Sequence, residues 1–189
     1  MIIGWIILGI AIILIVFFIG IYNSLIRQKM RVKNAWSQID VQLKRRHDLI
    51  PNLVNAVKGY MKYEKDTLTQ VIEVRAKAVS ARDNGNLEEM GKAEGELTGI
   101  LGRLFALFER YPELKANKNV MALQEELTNT ENKISFARQF YNDMVMKYNT
   151  SIQVFPKSII AGMFGFKSFN FFEIEKPEEK EAPKVDLNV

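Results

Sequence analysis

Hydrophobic and polar positions along the chain follow two regimes. Residues 1–26 carry no charged side chain, and Met1 to Tyr22 is almost entirely Ile, Leu, Val, Phe and Gly. A bilayer core about 30 Å thick needs roughly 20 apolar residues of helix to cross it, so this run predicts a transmembrane anchor. Beyond it, apolar residues recur at helical spacing. Val32, Trp36, Ile39, Leu43, Arg46, Ile50, Leu53, Val57 and Tyr60 alternate in steps of four and three, a heptad seam. The same register runs on through Glu64, Leu68, Val71, Arg75 and Ala78. Pro51 removes a backbone donor and disfavours helix at the residue before it. A kink or tight restart at His47–Pro51 is therefore expected, without a reversal of the chain.

Asp83-Asn84-Gly85-Asn86 breaks the pattern with turn and capping residues. Asn86 with Glu89 three residues later resembles a capping box for a helix over 87–109. That helix carries Gly91, Gly95, Gly99 and Gly102 on one face. Glycine costs about 1 kcal/mol against alanine in a helix interior. The stripe predicts close approach of a neighbouring helix, or else a soft helix; Leu97, Leu101, Leu104, Phe105 and Phe108 supply the other packing atoms. Tyr111-Pro112-Glu113 ends it. A second long helix, about 119–154, carries Val120, Leu123, Leu127, Thr130, Ile134, Ala137, Tyr141, Met144, Tyr148, Ile152 and Phe155 on its seam before Pro156 stops it. Long helices with short connections predict an all-α fold: a single N-terminal transmembrane helix followed by a long-helix antiparallel bundle. Trp36, Leu43, Leu53, Leu127, Ile134 and Tyr141 are expected in one core. The domain reading is an anchor over 1–26, a bundle over 27–172 and a disordered acidic tail over 173–189. The Phe-rich stretch Pro156–Ile174, with Phe155 just before it, docks on the bundle in part, or forms a membrane or partner patch.

Charge sets orientation. Arg27, Lys29, Arg31 and Lys33 follow the apolar run, and no acid appears before Asp40. Basic flanks stay inside, which predicts a plasma-membrane protein with a short outside N-terminus and a cytoplasmic body. A cleavable signal peptide would need a basic n-region, a shorter apolar run and a small-residue cleavage site, and none is present. The same four cations are candidates to face anionic lipid. Net charge is +4, and the last 17 residues hold six acids against three lysines. The basic remainder lacks the concentrated stripe and stacking aromatics of a nucleic-acid binder, so no nucleic-acid partner is expected. The chain has no cysteine, which fits a reducing compartment.

Candidate chemistry is sparse. No thiol is available, and one histidine, His47, excludes an HExxH or paired ExxH metal site. No phosphate-binding glycine loop occurs. His47 reads as a surface or capping side chain. No catalytic residue, cofactor or metal is expected. One polar face stands out: Glu131, Ser135, Arg138, Asn142, Val145 and Asn149 line up beside the last seam. It is a solvated face, a buried register-fixing network with Arg46 or Arg75 as partners, or a ligand site between helices.

Several of these residues occur in a recognisable order. They are Tyr22-Asn23-xx-Ile26; Val32-xxx-Trp36-Ser37-xx-Asp40-Val41-Gln42-Leu43-xx-Arg46-xx-Leu49-Ile50-Pro51-Asn52-Leu53-Val54; Tyr111-Pro112-Glu113-Leu114-Lys115-Ala116; Leu123-xxx-Leu127-xx-Thr130-Glu131-Asn132; Ala137-Arg138-xx-Tyr141-Asn142; and Tyr148-Asn149-xxxxx-Phe155-Pro156. From Gly20 to Phe172 the chain resembles the LemA family of bacterial membrane proteins. The resemblance implies a single-pass anchor with a helical bundle and no defined catalytic activity. The residues therefore point to a membrane-tethered scaffold or adaptor that binds protein partners and forms homo-oligomers, through Phe164–Phe172 or the Glu131–Asn149 face. A tethered sensor with a small ligand between helices is the alternative, and an enzyme the third reading.

Overall fold

The computed structural model describes residues 2–174. Among them lie six helices and no strand: α1 (Ile2–Val57), α2 (Lys65–Asn84), α3 (Leu87–Phe108), α4 (Pro112–Ala116), α5 (Lys118–Gln153) and α6 (Lys157–Met163). The architecture is all-α, one long apolar N-terminal helix leading into a helical bundle. The first 18 or so residues of α1 are long and apolar enough to cross a membrane, and protein covers none of that stretch. A core helix of a water-soluble domain would bury such a surface. One that leaves it bare all round is suited to lipid as its solvent.

α1 runs for 56 residues, about 84 Å at 1.5 Å per residue. It passes through Pro51 without interruption. The expected restart at His47–Pro51 is therefore absent, and the chain instead breaks at residues 58–64. There Met61 donates its N–H to the Val57 carbonyl at 3.0 Å and is itself fully buried, plugging the turn. The seam of α1 is buried as its spacing requires at Val32, Ile39, Leu43, Ile50, Leu53 and Val57. Trp36 is only half-buried, and Tyr60, beyond the helix end, is exposed.

The chain divides into two compact units, to both of which α1 and α5 contribute; of the residues expected in the core, Leu43, Leu53, Leu127 and Ile134 are buried in one unit and Tyr141 in the other. The first comprises, among the described residues, 2–39 and 137–171. In it Ile21 and Leu25 pack against Ile160 and Ala161 of α6, with Tyr22, Ile152 and Phe166 around them. Tyr22 also meets the Phe164 ring at 4.8 Å. Trp36 packs edge-on against the buried Tyr141 at 5.4 Å. Residues 166–171 lie along α5 with no regular structure, held by side chains that imitate backbone pairing. Asn149 donates Nδ2–H to the Phe169 carbonyl at 2.9 Å and accepts the Phe169 N–H on Oδ1 at 3.0 Å. Tyr141 donates its hydroxyl to the Asn170 carbonyl at 2.9 Å. Phe169 then stacks edge-on to Tyr148 at 5.2 Å. Burial raises the phenol pKa of both Tyr141 and Tyr148 above its ordinary value. Part of the Phe-rich stretch thus docks within its own unit, whereas Phe155, expected on the α5 seam, is 80% exposed past the helix end.

The second unit holds residues 40–136 and, among the described residues, 172–174. Gly85 caps α2 at φ 71°, a left-handed conformation that costs glycine nothing. Asn86 accepts the N–H groups of Glu88 and Glu89 at the start of α3, the cap its sequence predicted. Leu97, Leu101, Leu104 and Phe108 are buried. Three glycines of the stripe do not meet the neighbouring helix expected of them. Gly99 and Gly102 are exposed, and a Cβ on either would meet nothing within 4 Å. Gly91 is crossed by extended chain: a Cβ there would sit 2.0 Å from the Glu173 carbonyl oxygen. Phe172 and Ile174 are buried on either side of that crossing. The expected tail thus begins with two residues, Glu173 and Ile174, that belong to this unit, and its remainder, 175–189, lies outside the described residues.

Two substitutions separate these glycines. Gly102→Ala should stabilise the full chain by about 1 kcal/mol, because only helix propensity changes. Gly91→Ala should destabilise it despite the same propensity gain, because the methyl displaces residues 172–174. Thermal unfolding of the detergent-solubilised protein followed by circular dichroism measures both. Equal shifts of the same sign would show that the crossing does not constrain Gly91.

Candidate functional site

The second unit has charged residues in its interior, and four helices bring them together. Arg46 of α1 is 1% exposed and Glu94 of α3 is fully buried. A lone ion in such a place costs several kcal/mol, so it must be paired and hydrogen-bonded. Arg46 Nη1 lies 2.8 Å from Glu131 of α5 and 3.3 Å from Glu94. Arg46 Nη2 donates to the Thr98 hydroxyl at 2.8 Å. The Thr98 hydroxyl in turn lies 3.1 Å from the Glu94 carbonyl and 3.2 Å from Glu131 Oε1, and its single proton serves one of them at a time. The second Glu94 oxygen meets His47 Nε2 at 2.7 Å. One guanidinium therefore sits between two carboxylates, and one of those carboxylates also holds the imidazole.

Pro51 completes the arrangement from the backbone. With no N–H at residue 51, the carbonyl of His47 loses its partner within the helix. Arg75 of α2 donates Nε–H to that same carbonyl at 2.6 Å. A substitution for the missing helical hydrogen bond is thus supplied by a neighbouring helix, and α1 continues through its proline. A second clamp joins the same two helices: Arg82 reaches both carboxylate oxygens of Asp40, at 2.6 and 3.2 Å. That hydrogen bond raises the Arg82 pKa further above its ordinary value, against a smaller opposing effect of burial.

His47 is 2% exposed, not a surface or capping side chain, because Glu94 draws it inward. Its Nδ1 has no hydrogen-bond partner. The sequence offers Glu131 a network with Arg138 and the asparagines, and Arg46 or Arg75 as further partners; Arg46 takes the role, and Arg75 serves the backbone carbonyl instead. The polar face on α5 does not act as one site. Glu131 enters this network, Asn149 holds Phe169 in the other unit, and Asn142 is half-buried there. Ser135 is exposed. Arg138 is half-buried and makes no ion pair among the described residues. Glu94 and Thr98 went unforeseen. A signal existed: Glu94 stands three residues before Leu97 in the 3–4 spacing that continues through Leu101 and Leu104, so it occupies an apolar-face position. Among the described residues no group of three or more His, Cys, Asp or Glu is placed to hold a metal ion. Of the four basic residues after the apolar run, Arg27, Arg31 and Lys33 are exposed, and Lys29 lies over the Phe166 ring at 5.8 Å.

An uncovered apolar helix continuous with a bundle whose interior charges are tied to one another defines a membrane-associated helical protein. The chain belongs to the LemA family, whose model matches residues 35–187. It is 28% identical over 172 residues to Protein LemA of Metamycoplasma hominis, covering 90% of this chain and 77% of that one. It is also 26% identical over 179 residues to Magnetosome protein MamQ 2 of Paramagnetospirillum magneticum, and 25% identical over 179 residues to Magnetosome protein MamQ of Magnetospirillum gryphiswaldense. Those matches cover 82% of this chain and 65% of each MamQ.

The network makes a sharp mutational expectation. Glu94→Ala leaves Arg46 and His47 buried beside one remaining carboxylate, and removing one partner from a buried ion pair costs about 3–5 kcal/mol. The melting temperature of the full chain in detergent should fall accordingly, and Glu125→Ala, at an exposed position on α5, should leave it unchanged. Equal melting temperatures for the two variants would mean that the network contributes nothing to the fold.

Proposed function

We propose that this protein is a membrane-tethered, non-enzymatic scaffold, with its body in the cytoplasm, that engages protein partners and further copies of itself. The observation that carries this reading is the state of its buried acids and bases. Glu94 is occupied by Arg46 and His47, and Glu131 by Arg46 and Thr98. A general base or nucleophile has to face a reacting atom, whereas these groups face one another. Around Arg46 the polar groups that a small ligand would need are engaged with one another, which weighs against the sensor alternative at that place. The names of the relatives, LemA and magnetosome protein, assign no reaction.

What is left to act is the surface. Phe136 is 72% exposed, Val41 60% and Tyr63 95%, all in the unit built on residues 40–136. Isolated exposed apolar residues are ordinary, but a bulky phenylalanine on a long rigid helix suits a partner contact better than water. Anchoring supports self-association too, because confinement to a membrane plane raises effective concentration. Of the two faces the sequence offered for such contact, Phe166, Phe169, Phe172, Glu131 and Asn149 are engaged inside the chain, while Phe164 and Phe171 stay exposed. The contact is assigned to the Phe136 surface, on the long helix α5. The basic flank after Tyr22 favours a cytoplasmic body in the plasma membrane.

Orientation is tested with Ser168→Cys, the sole thiol in a chain without cysteine and at an exposed position. An impermeant thiol reagent should label it only after lysis, and labelling of intact cells would reverse the topology. For partners, a photo-crosslinking residue at position 136 should give discrete adducts in native membranes, including a dimer of this chain. A 21.8 kDa protomer by light scattering in detergent together with no adduct in membranes would overturn the scaffold reading.

A further inference from the structure

We infer that the first unit carries a binding site for the headgroup of an anionic phospholipid, in a groove between α1 and α5. The inference rests on the reading of the apolar run of α1 as membrane-spanning. The groove has a volume of about 220 Å³ and is lined by Ser24, Arg27, Gln28 and Arg31 of α1 and by Met144 and Lys147 of α5. That is smaller than the roughly 300–1,000 Å³ clefts that enclose drug-sized ligands, and its scale is that of a phosphate with its nearest substituents.

Its chemistry is one-sided. Three of the six lining residues are cations and none is an acid. Arg27, Arg31 and Lys147 form no ion pair among the described residues, in a protein that pairs Arg45, Arg46, Arg82 and Lys92 with carboxylates. Asp143, one turn before Lys147 on α5, does not line the groove. Ser24 and Gln28 are half-buried and add a hydroxyl and an amide, linked to each other by a 3.4 Å hydrogen bond. Guanidinium groups donate to phosphate in a forked geometry and an ammonium adds a point charge. Convergence of such groups without a counter-ion selects a phosphate-bearing anion.

Position selects its source. The apolar run ends near Tyr22. At 1.5 Å per residue, Ser24 lies about 3 Å along the helix from Tyr22, Arg27 about 8 Å and Arg31 about 14 Å. The headgroup layer on each side of the hydrocarbon core is roughly 5–8 Å deep, and long cationic side chains reach back toward it. The same unit presents apolar side chains around that level. Phe164 touches Tyr22 and is 59% exposed; Ile159 and Met163, which flank the buried Ile160 and Ala161 on α6, are 50% and 69% exposed. These continue the lipid-facing surface of α1 into the interface, where a headgroup and not a freely diffusing phosphate is the abundant anion.

The test uses the full chain purified in a neutral detergent and titrated with phosphatidylglycerol or phosphatidylcholine, with bound lipid counted by native mass spectrometry. Wild-type protein should retain phosphatidylglycerol in preference to phosphatidylcholine. The triple variant Arg27→Gln/Arg31→Gln/Lys147→Gln should lose that preference by roughly 10–100-fold. Lys44→Gln/Lys62→Gln/Lys118→Gln, which removes the same charge from exposed positions of the other unit, should retain it. Circular dichroism of each variant establishes that it is folded. If the groove variant fails to fold, the Ser24→Leu/Gln28→Leu pair replaces it and is expected to lose the same preference. Equal loss in the groove and control variants, or no loss in the groove variant, would overturn the site. Displacement of the lipid by millimolar inorganic phosphate would overturn the assignment to lipid. Alkaline carbonate extraction of membranes checks the spanning reading separately: a chain released by carbonate was never inserted, whereas a retained chain without lipid preference refutes the groove alone.

Discussion

A guanidinium with 1% exposure needs its charge answered wherever the chain places it, and Arg46 imposes that demand on the helices around it. Glu94 and Thr98 must come from α3 and Glu131 from α5, at separations of 3.3, 2.8 and 2.8 Å. Apolar seams tolerate a slip of one helix along another, because leucine meets leucine equally well in several registers. A buried ion pair does not, because a slip strands a charge. The heptad spacing of the chain thus provides adhesion, and the Arg46 network fixes the registry among α1, α3 and α5.

The proline in α1 belongs to the same logic. A helix interrupted by proline usually bends or ends, since one carbonyl is left without a donor. Arg75 supplies that donor to the His47 carbonyl, and the helix runs on to Val57. The consequence is a single continuous helix from the apolar N-terminal run into the bundle.

The C-terminal segment is attached by another device. It has no regular hydrogen-bond ladder of its own, so polar side chains and a missing one take over. Asn149 pairs with both backbone groups of Phe169. Gly91 leaves room for the Glu173 carbonyl. Buried backbone polar groups need partners, and asparagine on a helix face is the shortest side chain that offers a donor and an acceptor side by side.

The elements of this protein were legible in its sequence because they depend on local periodicity and local caps. The apolar run of α1, the seams of α1 and α5, the Gly85 turn, the Asn86 cap and the stop before Pro156 all follow from spacing and side-chain type within a few residues. So did the LemA resemblance, carried by ordered motifs. The pairings were not legible, because they join residues far apart in the chain. Arg46 stands at a seam position, but spacing does not say which of the glutamates it meets, and His47 is buried only because Glu94, 47 residues away in the chain, draws it inward. Pro51 signalled a kink or a restart, and the sequence could not show that Arg75, from another helix, supplies the missing donor so that no restart occurs. The Gly91–Gly102 stripe signalled close approach without saying that extended chain makes it at Gly91. Local physics decided which residues are helical and which faces are apolar. Tertiary structure decided which charges meet, because only the folded chain brings a donor from one helix within 3 Å of an acceptor on another.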